Sequence, residues 1–501
     1  MTLHRARLSA AAPVVVAMAA ALLAGCTVGP DYARPPLSVE APETFAADTT
    51  SLADAALDTL PVPDRWWTAF GDTTLNRLVD QALARNQNLQ AATARVLESR
   101  AVLGDAEADR WPSLEVGGAA NRSKSSRAAF GGDGFLYRNI FDASLTARYE
   151  LDLWGRLARA EESARARYLQ SEMNRRVVVQ TLVADVTRTW LQVRELQCQL
   201  GLTLRTADSY RRTVATVEER YAGGVVPALE VRLARQNLLN ALAAEPSYRR
   251  QLAEAVRRLE ILAGGYPSGR TGEISDGDLA RAIMPAPLPA VPAGLPSHLL
   301  ERRPDLLAAE ADLHASVANV GAAKARLYPT LSLTASAGTT SNELDSWFTS
   351  GTDVWSLAGN LAMPLINGNA TRSQVRAAEA RADQAVAGYR QAVLTAFGEV
   401  ENALDAQHYQ GETERILGES VREARRSLEL AEQRYRAGLD NLLSTLEAQR
   451  RLFNAESALL ATQRANRTAR VNLILALGGP WDADLVAPAL ADRDNTEGDR
   501  E

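Results

Sequence analysis

The chain has 501 residues, with 55 basic and 61 acidic side chains, a formal net charge of −6 and a hydrophobic content of 46%. Ordinary hydrophobicity excludes disorder as the default state, and the mildly acidic balance argues against nucleic acid as a partner. Two cysteines, Cys26 and Cys198, exclude a disulfide framework.

The first 25 residues read as a secretion signal. Arg5 and Arg7 form a basic start, Val14–Ala24 an apolar middle, and small residues precede Cys26. The apolar run is too short to span a bilayer, and no later run is long enough. Leu23-Ala24-Gly25-Cys26 has the form of a bacterial lipobox, which makes Cys26 the expected site of covalent lipid. An extended arm follows, marked by Pro30, Pro35, Pro36, Pro42, Pro61 and Pro63, with Trp66-Trp67 expected to pin it to the folded body.

Helical spacing runs from Thr73 to Arg110, and Trp111-Pro112 ends it. A strand follows, with Leu114, Val116, Gly118 and Ala120 on one side. A loop is expected over Ser123–Arg138, around Gly131-Gly132-Asp133-Gly134. The next strand alternates strictly from Phe141 to Leu153. From Arg156 to Tyr221 there is no proline and one glycine, Gly201, so this segment would rise roughly 100 Å as one helix. Gly223-Gly224 ends it, and a return helix is expected from Pro227 to Leu262, ending at Gly264-Gly265.

The plan then repeats. Arg303–Leu331 aligns with Asn86–Leu114 at an offset of 217 residues, and Tyr435, Gly438 and Gly478 align with Tyr221, Gly224 and Gly264 at an offset of 214. Strands are expected at Leu331–Ala337 and Trp355–Leu365, separated by a loop around Thr339–Asp353, with a second long helix at Thr371–Tyr435. Each pair of shorter helices can stack end to end beside a long one. The seam is visible as Leu182, Val186, Trp190, Val193, Leu200, Leu204, Ala207, Val214, Val217 and Tyr221, a coiled-coil spacing. The expected organisation is therefore a signal peptide (1–25), a lipidated arm (26–72), a first repeat (73–265), a Pro/Gly-rich linker (266–296), a second repeat (297–479) and a tail (480–501). Four strands with one apolar and one polar face cannot close a membrane barrel alone. Either the sheet is buried in protein or several chains pool their strands.

These features resemble the TolC-like outer-membrane factor family, in its lipoprotein branch. The residues that carry the resemblance are Cys26-Thr27-Val28-Gly29-Pro30-Asp31-Tyr32, Trp66-Trp67 through Phe70-Gly71-Asp72, and Leu151-Asp152-Leu153-Trp154-Gly155-Arg156. Arg302-Arg303-Pro304-Asp305, Tyr328-Pro329 and Arg434-Tyr435-Arg436-Ala437-Gly438 complete the set. The resemblance implies an α+β membrane protein, in which a trimeric outer-membrane β-barrel with four strands per chain continues into a long α-helical periplasmic barrel. A belt midway along it would hold the arm, linker and tail. The implied function is the exit duct of a tripartite efflux pump for small molecules. Its partners would be two further copies of the chain, a periplasmic adaptor, an inner-membrane RND-type transporter and outer-membrane lipids. Type I protein secretion and envelope tethering are the alternatives. The first differs only in cargo, whereas the second leaves the four strands without a purpose.

Nothing in the sequence points to catalysis. His298, His314 and His408 are widely spaced, and there is no HExxH, no paired cysteine and no phosphate-binding glycine loop, so no enzyme activity, metal or cofactor beyond the lipid is expected. By the same resemblance Tyr435 matches a tyrosine that helps latch the closed periplasmic entrance, and Asp440 and Glu447 lie near polar constrictions. Ser444 stands where some members carry a second acid. Asp440 and Asn441 fit equally well as turn residues capping the return helix, and Tyr221 and Tyr435 as the end of the seam.

Overall fold

The computed structural model describes residues 27–36, 45–48, 65–126, 134–270, 279, 282–289 and 299–479. Lipid attachment at Cys26, the signal segment, most of the arm and linker, and the tail lie outside the described residues. The chain divides into two compact units, one built mainly from 95–172 and 308–390 and the other from 37–94, 173–307 and 391–479. In order, the elements are α1 (Thr73–Arg85), α2 (Gln87–Ala108), β1 (Ser113–Ser126), β2 (Phe135–Leu151), α3 (Arg156–Ala222) and α4 (Ala228–Leu262). The second half supplies α5 (Leu299–Arg302), α6 (Pro304–Ala325), β3 (Thr330–Ser341), β4 (Asp353–Ala362), α7 (Ala370–Arg436) and α8 (Leu442–Ala476). The long helices α3 and α7 have 67 residues each, and α4 and α8 have 35 each.

In the first unit the strands form one antiparallel sheet in the order β1-β2-β3-β4. The register gathers the alternating apolar positions onto one face. Val116 pairs with Leu145, Leu145 with Ala337, and Ala337 with Trp355. One step along, Ala147 pairs with Ala335 and Ala335 with Leu357. This face is open to the surroundings: Val116 is 82% exposed and Trp355 81%. Polar residues share the other face, where Glu115, Thr146, Ser336 and Ser356 fall in one row. Arg148 donates to Glu115 there at 2.8 Å, and Ser336 and Ser356 are 2.8 Å apart. The outer sides of β1 and β4 have no strand neighbour among the described residues.

The N-terminal arm is bound at the strand-to-helix junction of this unit. Val28 N–H donates to the Trp154 carbonyl at 3.0 Å. Gly155 has φ +75°, and a Cβ there would sit 2.9 Å from the Thr27 side chain, so the close approach requires glycine. Further along, Tyr32 stacks on His314 with centroids 4.6 Å apart and donates to Glu310 at 2.9 Å. Arg34 grips the same carboxylate with two nitrogens, at 2.8 and 2.7 Å.

The second unit holds the main apolar core. Trp66, Trp67 and Phe70 pack with Leu75 and Val79 of α1, the Leu182–Leu200 stripe of α3, and Leu252 and Leu259 of α4. Cys198 is buried there, and burial pushes its thiol up to about 11, so it stays protonated and inert.

Two expectations about the elements need correction. The helix expected over Thr73–Arg110 is broken at Asn86, whose ψ of 125° is extended. The Asn86 side chain accepts from Asn88 and Leu89 N–H groups, capping α2, and its Nδ2 donates to the Leu262 carbonyl at the end of α4. The second half has the same break at Arg303, whose guanidinium donates to the Ala476 carbonyl at the end of α8 at 3.0 Å. No glycine marks either break, and a spacing of three and four continues straight through the first. The strands also differ from expectation. β1 runs to Ser126 and β2 begins at Phe135, which cuts deep into the expected Ser123–Arg138 loop. Aromatic residues and a cation hold this extension: Lys124 Nζ lies 3.8 Å from the Phe135 ring centroid and 5.6 Å from that of Tyr137. β2 stops at Leu151 because Asp152 turns to cap α3 through the Ala158 N–H, and β4 stops at Ala362, ahead of Pro364.

Candidate functional site

The candidate gate residues lie where α3 turns into α4 and α7 into α8. The two turns share one backbone design. Gly224 and Gly438 both have φ +71°. Val225 N–H donates to the Arg220 carbonyl and Gly224 N–H to that of Tyr221, both at 2.9 Å. Leu439 to Arg434 at 2.9 Å and Gly438 to Tyr435 at 3.0 Å repeat the pattern. This is the glycine-capped Schellman ending that the sequence signals.

The side chains on the two turns do different things. Tyr435 is 6% exposed, packed among Tyr210, Val217, Val231, Ala234, Leu442 and Leu446. Its hydroxyl donates to Glu230 Oε2 at 3.2 Å. Arg220 donates to the Tyr435 carbonyl at 3.0 Å, and its guanidinium carbon lies 4.7 Å from the Tyr435 ring centroid. Burial holds the Tyr435 phenol above its ordinary pKa, so it remains a donor at neutral pH. Tyr221 lies differently from the seam position expected for it, since half its surface is exposed. The seam of α3 ends at Val217, and the repeat-related tyrosine of α7 takes the place beside it.

Asp440 is held within its own turn. Oδ1 accepts from the Asn441 N–H at 2.8 Å and the Ser444 hydroxyl at 2.9 Å, and Oδ2 faces Arg434 Nε at 3.4 Å. The Asn441 hydrogen bond, then those from Ser444 and Arg434, hold its carboxyl below the ordinary range. The helix cap proper is Asn441, which accepts from Ser444 N–H at 3.1 Å, while Pro227 at the matching place offers no side-chain cap. Glu447 is neutralised by Arg451 at 2.9 Å and Arg450 at 2.6 Å, and those two hydrogen bonds hold its carboxyl low.

The sequence reading named Tyr435 but missed Arg220 and Glu230. The repeat offset could have found them, because Arg220 matches Arg434 and Glu230 matches Ser444. Among the described residues no group of three or more His, Cys, Asp or Glu side chains is placed to hold a metal ion.

The family model described as outer membrane efflux protein matches residues 78–265 and 295–479, both copies of the repeat. The chain belongs to the outer membrane efflux protein family. Among curated relatives, this outer-membrane efflux protein is 36% identical over 466 residues to the solvent efflux pump outer membrane protein SrpC of Pseudomonas putida, covering 92% of this chain and 96% of that one. It is 34% identical over 461 residues to outer membrane protein OprJ of Pseudomonas aeruginosa, covering 92% and 94%. Among solved structures, the outer-membrane channel OprN aligns with a TM-score of 0.83 at 31% identity, over 91% of this chain and all of that one. The fold is thus that of an outer-membrane efflux channel subunit, α+β with its strands in one sheet, and the outer membrane is its location.

Proposed function

We propose that three copies of this chain pool their strands into one twelve-stranded barrel, forming the exit duct of a tripartite pump. The observation that carries this is the sheet itself. It exposes a face that is apolar through its middle rows, keeps a polar opposite face and, among the described residues, leaves both outer edges without a strand neighbour, and a lipid-exposed edge is not tolerated. Pooling strands closes the edges and turns the apolar face to lipid. Phe141 to Leu151 spans ten residue steps on β2, about 34 Å along the strand and roughly 26 Å in height at a tilt of ~40°, which matches the apolar band of an outer-membrane barrel.

In this reading lipid on Cys26 anchors the arm, and the α3–α4 and α7–α8 turns form the periplasmic entrance. Tyr435 latches that entrance, while Asp440 and Glu447 contribute charge near it. A periplasmic adaptor docks at the turns, where Val225, Leu229, Leu439 and Leu443 are exposed large apolar residues related by the repeat offset. An inner-membrane RND-type transporter supplies the energy, and the duct performs no covalent chemistry. The cargo is small molecules of the solvent or antibiotic kind that the relatives' names record. The test is extraction of outer membranes: an oligomer of three chains that resists heating in detergent is expected, along with solvent sensitivity on deleting the gene. A monomer that stays soluble without detergent would overturn the reading.

A further inference from the structure

We propose that the outer end of the β1–β2 hairpin is a binding site for the phosphate groups of an anionic glycolipid in the outer leaflet. This rests on the proposed orientation, with helices on the periplasmic side and the β1–β2 turn facing outward. The bound position of Thr27, one residue from the proposed lipid on Cys26, against Gly155 places the helix end of the sheet at the inner leaflet.

The apolar face of β1 runs through Leu114, Val116, Gly118 and Ala120. With the same alternation, its next two positions are Arg122 and Lys124. Their partners on β2 are Asn139 and Tyr137, and the last pair is Ser126 with Phe135. On β1 and β2 the apolar band ends at the row of Ala120 and Phe141, while on β3 and β4 the same face already carries Thr339 and Asp353 one row nearer the helices. The two cations therefore stand one and two rows beyond it, on the lipid-facing side, at the height of outer-leaflet headgroups.

Strand positions this far out would ordinarily be filled by neutral polar or aromatic residues, as Asn139 and Tyr137 are. Here two cations stand on one face of one strand, and all of β1 is exposed. Lys124 lies across the Phe135 and Tyr137 rings, which fixes its ammonium without neutralising it. Neither Arg122 nor Lys124 has an acidic partner within 4 Å among the described residues. Arg138 pairs with Ser123 and falls on the opposite, lumenal face, so it takes no part. A fixed ammonium, a forked guanidinium and flanking aromatic rings suit a phosphate carried on a sugar at the edge of an apolar layer. A phospholipid headgroup offers one phosphate, whereas a phosphorylated glycolipid offers several on a rigid sugar frame.

The experiment uses full-length purified trimer, with purified lipopolysaccharide as the probe and its dephosphorylated form and phosphatidylglycerol as comparisons. Lipid retained through purification is measured by native mass spectrometry, and affinity from the melting shift on adding lipid. The Arg122→Ala/Lys124→Ala variant is expected to bind lipopolysaccharide about thirty-fold more weakly, roughly five-fold for each cation removed. Arg122→Lys/Lys124→Arg is expected to keep most of the binding, and added salt to weaken the wild type. Equal retention by the double alanine variant would overturn the proposal. So would an equal response to the dephosphorylated lipid, a stronger response to phosphatidylglycerol, or loss of the trimer without change in lipid binding, which would mean that the cations pair with a neighbouring chain. Ser125→Cys labelling with a membrane-impermeant maleimide on intact cells tests orientation separately. Labelling without a lipid effect refutes the site alone, and failure to label refutes the orientation on which it rests.

Discussion

If Tyr435 latches the entrance, removing one oxygen should open it. Tyr435→Phe keeps the ring in its cluster and deletes only the hydroxyl that donates to Glu230 at 3.2 Å. Hydrogen bonds to a charged group contribute about 1.5–3 kcal/mol when well buried. Glu230 is only half-buried and the bond is long, so about 1 kcal/mol is the better figure here, a five-fold change per chain. Three chains opening together would sum this to about 3 kcal/mol, roughly a 150-fold shift in the ratio of open to closed. Arg220→Ala removes both the hydrogen bond to the Tyr435 carbonyl and the guanidinium over the ring, so its effect should be larger. The assay is open probability of single trimers in planar bilayers. A Tyr435→Phe trimer whose open probability stays within two-fold of wild type would refute the latch. Glu230→Gln retains an acceptor and should fall between wild type and Tyr435→Phe.

Three further outcomes are expected. Gly264→Ala should destabilise far more than Gly224→Ala, although their φ angles are +73° and +71°. A Cβ at Gly264 would lie 2.6 Å from the Arg85 carbonyl oxygen, while at Gly224 it meets nothing, so only the ~1–2 kcal/mol of left-handed backbone strain applies there; thermal melting of the two variants measures the difference. Val116→Arg should block outer-membrane insertion, at a cost of about 2–4 kcal/mol for a cation in mid-bilayer, whereas Thr146→Arg on the polar face should be tolerated, as heat-resistant oligomer in membrane fractions would report. The carboxyls of Asp440 and Glu447 are held low in the fold, so their contribution is present above the ordinary carboxylate range and is lost as pH falls through their folded pKa values. Hydrogen-exchange protection at the α7–α8 turn, taken relative to the intrinsic exchange rate at each pH, should therefore fall only below about pH 4, and a loss of protection between pH 5 and 7 would refute this assignment.

Much of this architecture was legible because it rests on strong local signals. Alternation placed the four strands, Gly223-Gly224 and the repeat-related Gly438 placed the two turns, and proline-free runs placed α3 and α7 within a residue or two. The break at Asn86 was hidden because nothing local forbids helix there, whereas Arg303 carries a local signal, since Pro304 disfavours helix at the residue before it. At both breaks the junction residue satisfies a carbonyl at the far end of its return helix, 176 residues away for Asn86 and 173 for Arg303. The ends of the first hairpin were hidden for a related reason: Ser123–Ser126 looks like a loop until Lys124 is set against the Phe135 and Tyr137 rings. At the turns, the family resemblance pointed to Tyr435, but its partners Arg220 and Glu230 belong to the other hairpin and could be reached only by laying one repeat over the other.

Laid over each other, the repeats show where a duplicated hairpin was free to diverge. The Schellman hydrogen bonds and the left-handed glycine are the same in both, since this ending satisfies within the turn carbonyls that would otherwise need water or a side chain. The side chains around that frame were not so constrained. Arg220 reaches across to Tyr435, while Arg434 folds back on Asp440. Glu230 accepts from the neighbouring hairpin, while Ser444 donates within its own turn. The α7–α8 turn is thus closed on itself electrostatically, with Asp440 and Glu447 each answered by arginines a few residues away. Among the described residues its polar attachments to the α3–α4 hairpin near the turn are few: Tyr435, which donates to Glu230 and accepts from Arg220, and Gln449 donating to Ser209 at 3.1 Å and Thr213 at 3.0 Å. A hairpin with its charges satisfied internally can separate from its neighbour without stranding an ion, so the cost of parting is set by those few contacts and the apolar cluster around Tyr435. That makes α7–α8 the better candidate for the moving part of an entrance and α3–α4, which supplies Arg220 and Glu230, the better candidate for its frame.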